Sequence, residues 1–178
     1  DVYKRQAREW LDTAGGSVFP ALVGKMLPLV VMMLLMTLMM FLILFKIVGV
    51  PLNGSLTALL FGCMLFVLAY MAIGVLIVTL LSNLRLSLSI GGGYSVLAFT
   101  FSGLTFPMMA MYPWVQAFSK IFPFTFYTDI FIDQALRGAP VVDSLWDMGY
   151  IALFIVLPML CLPRLRKICS DEKYWGRM

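Results

Sequence analysis

The chain contains no histidine, and only 12% of its residues are charged, about half the share of an ordinary globular protein. Without histidine it lacks both the commonest general base and the commonest metal ligand. The three cysteines, Cys63, Cys161 and Cys169, are too far apart in sequence to form a zinc-type pair, so no metal site is expected. Two of them lie inside apolar runs and read as small buried hydrophobes. No GxxxxGK[ST] phosphate loop, HExxH or GxSxG occurs. No carboxylate pair falls within an apolar run, which disfavours an intramembrane aspartyl or metalloprotease.

What the chain has instead is apolar length. Hydrophobic residues make up 62% of its 178 positions. They concentrate in four runs, 26–45, 56–81, 88–106 and 145–163, each near the ~20 residues that cross a ~30 Å hydrocarbon core. In lipid the backbone must satisfy its own hydrogen bonds, and these runs lack the alternation of a barrel strand. The expected fold is therefore all-α: a polytopic membrane protein with four transmembrane helices. With both termini cytoplasmic, the inner segments carry Arg8, Lys25, Arg85, Arg164, Arg166, Lys167, Lys173 and Arg177, and the outer ones only Lys46, Lys120 and Arg137. That bias follows the positive-inside rule. The net charge of +4 thus reads as topology, and no nucleic-acid partner is expected.

Residues 1–6, Asp1-Val2-Tyr3-Lys4-Arg5-Gln6, lack an initiator methionine and back-translate to GATGTGTATAAGAGACAG, which resembles a transposon-end sequencing adapter. We read them as a scar outside the fold, and the chain as a fragment lacking its N-terminal part. Residues 7–25 read either as an interfacial helix around Trp10 and Leu11, broken at Gly15-Gly16, or as a solvated loop. Ser17 is a candidate helix cap. Pro28 is expected in the opening turn of the first span.

In the second span Ala58, Gly62, Ala69 and Ala72 share one face and would let another helix approach closely. The third carries a small, weakly polar stripe of Gly91, Ser95, Ala98, Ser102 and Thr105. It suits a substrate path, a moving helix interface or a static packing seam. Residues 107–144 are cut by Pro107, Pro113, Pro123 and Pro140 into pieces too short to cross, Trp114–Phe122 and Phe124–Arg137. Each is expected to dip into the outer leaflet or lie along it, with its aromatics at the interface. Asp129, Asp133 and Arg137 recur at i, i+4, i+8, with Asp133 and Arg137 ordered for an ion pair. They suit a structural pair or a substrate contact. Gly138-Ala139-Pro140 is a helix stop. Residues 145–163 form the last span, with a kink at Pro158, and 164–178 a cytoplasmic tail.

This arrangement resembles the C-terminal half of ABC-2-type transporter permeases. Arg8-Glu9-Trp10 with Gly24-Lys25-Met26-Leu27-Pro28 is similar to the family's cytoplasmic segment entering a membrane helix. Ser102-Gly103-Leu104-Thr105-Phe106-Pro107 through Tyr112-Pro113 is similar to the end of its penultimate helix. Phe122-Pro123-Phe124-Thr125 and Ala135-Leu136-Arg137-Gly138 are similar to its re-entrant outer segment. The resemblance covers about residues 7–167 and rests on the order of short motifs. It implies that 26–163 are helices three to six of a six-helix permease. It further implies a multi-pass protein of the inner (plasma) membrane that exports substrate as a dimer with a separate ABC ATPase. ATP and magnesium would be held on that ATPase, with no cofactor on this chain, and a periplasmic adaptor is a further partner the family implies. Residues 8–20 would form the coupling region, with Arg8 and Glu9 contacting the ATPase and Trp10 packing beside them. The outer segment, with Gly103, Pro107, Pro113, Pro123, Asp129, Asp133, Arg137 and Gly138, would form the lid. Two other readings remain at this point: a lipid-modifying enzyme using Asp129 and Asp133, and a non-catalytic membrane scaffold.

Overall fold

The computed structural model describes residues 13, 15–81, 83–161 and 163; Arg8, Glu9 and Trp10, expected to couple to an ATPase, residues 1–6, expected to be a scar, and residues 164–178 lie outside them. Among the described residues there are helices and no strands. Helix α1 spans Val18–Leu42 and continues as a π-helical turn, Ile43–Ile47. Then come α2 (Leu56–Leu81), α3 (Leu84–Phe101), a 3₁₀ turn (Met108–Ala110), α4 (Pro113–Ser119), α5 (Pro123–Phe131) with a π-helical end (Ile132–Arg137), and α6 (Val141–Met159). Three segments are long and apolar enough to cross a membrane: Val18–Ile47, Leu56–Leu81 and Val141–Met159.

The second span falls where its apolar run places it. The others are displaced, for local reasons. Helix α1 starts at Val18, because Ser17 is extended (φ −98°) and Val18 and Ala21 are already buried. Ser17 occupies the N-cap position, but its side chain makes no capping bond. Pro28 consequently sits in the helix interior rather than in the opening turn, where it removes one backbone bond. Helix α3 starts before residue 88, because the Asn83 side chain accepts from the N–H groups of Arg85 and Leu86 at 3.1 and 3.4 Å. It ends at Phe101 instead of 106, since Gly103 turns left-handed at φ +88°. At 18 residues it is about 27 Å long, just under a hydrocarbon core. Helix α6 begins at Val141, directly after Pro140, and has Pro158 in its last turn.

The bundle is organised around α2. Helix α6 packs along it, α5 wedges between the two, and α1 and α3 lie against its remaining sides. The core joins Ala58 and Ala69 of α2, Phe126 and Ile130 of α5, and Met148 and Ile151 of α6. Helix α1 is the most open of the long helices, with 6% of its most apolar stretch buried. Its Leu, Met and Val surface faces outward, as a lipid-contacting helix requires.

Candidate functional site

Helix α5 is short, yet Pro123, Thr125, Phe126, Thr128 and Ile130 of it are buried. Phe122 takes the extended N-cap position and Pro123 the first helical position, where a missing N–H is no loss. The hydroxyls of Thr125 and Thr128 donate to the carbonyls of Ser119 and Phe124 at 2.8 and 2.9 Å, so both are buried without an open donor. Phe126 and Ile130 then enter the α2–α6 crevice. A Cβ on Gly62 would lie 3.1 Å from Ile130 Cγ2, so the small face of α2 serves close approach to α5. Ala58, Gly62 and Ala69 are buried on that face, and Ala72 is half-buried. Phe66 stacks on Tyr127 at 4.6 Å, and Phe126 on Tyr150 at 5.0 Å.

The aromatic segment is thus divided between surface and core. Trp114 is exposed, whereas Phe122 and Phe126 are buried. Helix α5 packs between α2 and α6.

The C-terminal end of α5 is fastened by residues that the sequence reading passed over. Gln134 is fully buried in the π-helical end. Its carbonyl accepts from Gly54 N at 2.8 Å and its Oε1 from Ser55 N at 3.0 Å. Its Nε2 donates to Ser144 Oγ of α6 at 2.9 Å and to Ala139 O at 3.3 Å. Asn53 donates through its backbone to Ala135 O (3.2 Å) and through Nδ2 to Leu136 O (2.8 Å). The α1–α2 turn therefore caps the carbonyls that a helix end leaves open.

Two glycines let the backbones meet. A Cβ at Gly54 would stand 2.6 Å from Gln134 O, and one at Gly138 would stand 2.8 Å from Asn53 O. Gly138 also closes the helix at φ +67°, as a left-handed cap does. Gln134 follows Asp133 directly and lies outside the four apolar runs, so no signal in the sequence marked it as buried.

The predicted residues fall in three groups. Of the α3 stripe, Ala98 and Ser102 are buried, Gly91 is half-buried, and Ser95 is exposed. Thr105 is exposed and lies beyond the helix end. The stripe packs only in part. Pro113 and Pro123 start α4 and α5, Pro107 precedes the 3₁₀ turn, and Gly103 supplies the turn after α3. Arg137 Nη1 donates to Asp133 Oδ1 at 3.0 Å on an exposed face. Asp129, half-buried one turn earlier, has its carboxyl pushed up by burial first and by Asp133 second, against the opposing pull of Arg137 and Lys120.

Two clefts flank this assembly. One, of about 300 Å³, lies between α1, α2 and α6 and is lined by residues such as Phe19, Met26, Met71 and Pro158. The other, of about 440 Å³, lies beside α5 and is lined by Phe66, Tyr70, Ser95, Phe99 and Phe124, among others. Both walls are apolar or aromatic except at Ser95, suited to holding hydrocarbon rather than to acid–base chemistry. Among the described residues no cluster of three metal-ligating side chains occurs.

A family model described as "ABC-2 family transporter protein" matches residues 3–161. The chain belongs to that family. The matched stretch takes in every helix from α1 to α6 together with the α5 fastening. An ABC-2 membrane component is therefore what these apolar helices build. No curated protein and no solved structure matched the chain.

Proposed function

We propose that the chain is the membrane-spanning permease subunit of an ABC-2-type exporter, driven by ATP hydrolysis on a separate subunit. The observation that carries this reading is the family match over nearly the whole helical bundle. The absence of a phosphate-loop motif from the sequence agrees with nucleotide being bound elsewhere. In this reading α3 is a fourth crossing, slightly short and accommodated by local thinning of the bilayer. Both termini then face the cytoplasm, as the distribution of Lys and Arg supports. Residues 8–20 meet the ATPase, a second permease copy completes the path, and hydrophobic or amphipathic cargo suits the apolar walls. The inner (plasma) membrane is the setting. Helix α5 and the 107–138 segment form its outer lid.

The alternative of an outer-interface enzyme is disfavoured by the carboxylates themselves, since Asp133 is engaged by Arg137 at 3.0 Å. The test is reconstitution in vesicles with the cognate ATPase, reading ATP-dependent accumulation of an amphipathic dye. Glu9→Ala should abolish accumulation, and Asp129→Asn and Asp133→Asn should leave most of it. Loss of activity on either Asn variant, with no dependence on ATP, would return the enzyme reading to first place.

A further inference from the structure

The helices are not held with equal firmness. Helices α2, α5 and α6 share the core and the Gln134 fastening, with glycine approaches that leave no slack at Gly54, Gly62 and Gly138. Helix α3 is different. Its middle, Gly91-Gly92-Gly93, has open space where a Cβ would stand. The hydroxyls of Ser87, Ser95, Thr100 and Ser102 return to carbonyls of α3 or its cap. Among the described residues, the hydrogen bond from an α3 side chain to another element is Tyr94 OH to Ile121 O, at 3.2 Å, in the turn leading into α5. Beyond α3 the chain bends at Gly103, φ +88°.

One polar group is out of place in this arrangement. The Tyr70 hydroxyl of α2 is buried with no hydrogen-bond partner among the described residues, although buried polar groups are almost always paired. Its ring lies 6.2 Å from that of Tyr94. We propose that Tyr94 is a two-position switch between α3 and the rest of the bundle. In the arrangement described, its hydroxyl donates to the Ile121 carbonyl. In the second, α3 shifts about Gly103 against the α2–α5–α6 block, and Tyr94 pairs with the Tyr70 hydroxyl instead. The unpaired hydroxyl is the vacant half of a bistable contact, and such contacts convert small displacements into discrete ones. The proposal goes beyond the transport reading and stands or falls without it, because it concerns two arrangements of this chain alone.

The experiment is pulsed electron–electron distance measurement on the full chain in lipid nanodiscs, with Cys63→Ala, Cys161→Ala and Cys169→Ala as background. Spin labels at Val96→Cys of α3 and Leu153→Cys of α6 report the switch; both positions are exposed. Labels at Phe61→Cys and Leu145→Cys, also exposed, report the α2–α6 block. The block pair should give one narrow distance and the α3 pair two. Tyr70→Phe should shift the α3 populations toward the arrangement described by on the order of threefold, the effect of one ordinary hydrogen bond, and leave the block pair unchanged. Tyr94→Phe, which loses both partners, should alter the ratio without narrowing the block pair. A single narrow α3 distance, or two distances indifferent to both Phe variants, overturns the proposal.

Discussion

Replacing Gln134 by leucine tests the fastening of α5 most directly, because the two side chains are similar in size and differ mainly in their polar end. The change removes the Oε1 acceptor for Ser55 N and the Nε2 donor to Ser144 Oγ and Ala139 O, at 3.0, 2.9 and 3.3 Å. The backbone bonds from Gly54 N and Asn53 N at 2.8 and 3.2 Å remain. A buried group left without its partner costs ~1–3 kcal/mol. Ser144 is fully buried, whereas Ser55 is only half-buried. Ser144 also sits in the first turns of α6, where its hydroxyl can turn back to a carbonyl of its own helix. Full penalties on all three groups are therefore excluded, and about 2–4 kcal/mol is expected. Pairwise couplings in membrane helices average only ~0.6 kcal/mol, so a Gln134→Leu/Ser144→Ala cycle should return a coupling of roughly 0.5–1.5 kcal/mol. The assay is reversible unfolding in mixed micelles by increasing SDS, followed by tryptophan fluorescence. A Gln134→Leu protein within about 0.5 kcal/mol of the parent would refute the reasoning, for it would mean that water reaches these groups and the fastening carries no load.

The remaining predictions use the same assay or a thermal melt. Gly54→Ala should destabilise by about 2 kcal/mol or more, since its Cβ would meet Gln134 O, a backbone atom, at 2.6 Å; a neutral result would show that the α1–α2 turn is free to move. Gly62→Leu should cost ~1–3 kcal/mol by overpacking against Ile130, and an unchanged midpoint would contradict the α2–α5 approach. Arg137→Ala should change stability by no more than a few tenths of a kcal/mol, because the arginine of that pair is 71% exposed; a larger loss would require a partner beyond Asp133. Asp129 has its carboxyl pushed upward, chiefly by burial, so the folded state favours its neutral form. Its contribution is present in full below the usual carboxylate range and is lost as the pH rises through the raised value. Melts from pH 4 to 8 should therefore show a falling contribution that Asp129→Asn removes, and identical pH profiles would refute it.

Which parts of this architecture can be read from residues alone follows from where each part gets its stability. The second span is legible to the residue because its limits are set locally, by the Pro51-to-Ser55 turn and by the end of a continuous apolar run. The limits of α1 and α3 depend on single backbone decisions, an extended Ser17 and the Asn83 cap, which hydrophobic length does not encode. The aromatic segment is harder still. Phe126 and Trp114 are equally plausible interfacial rings, and only a core shared with Ala58 of α2 and Met148 and Ile151 of α6 sends the first inward. The fastening was least legible, because Gln134, Asn53 and Ser144 are scattered and weakly distinctive.

Those same residues nevertheless explain why a helix as short as α5 can be buried at all. Nine residues and a π-helical turn cannot satisfy their own terminal carbonyls in an apolar setting. Helix α5 can be buried against α2 and α6 because the α1–α2 turn supplies the missing donors. Its core face and its polar end are therefore one structural unit, and a substitution that frees the end should also expose Phe126 and Ile130.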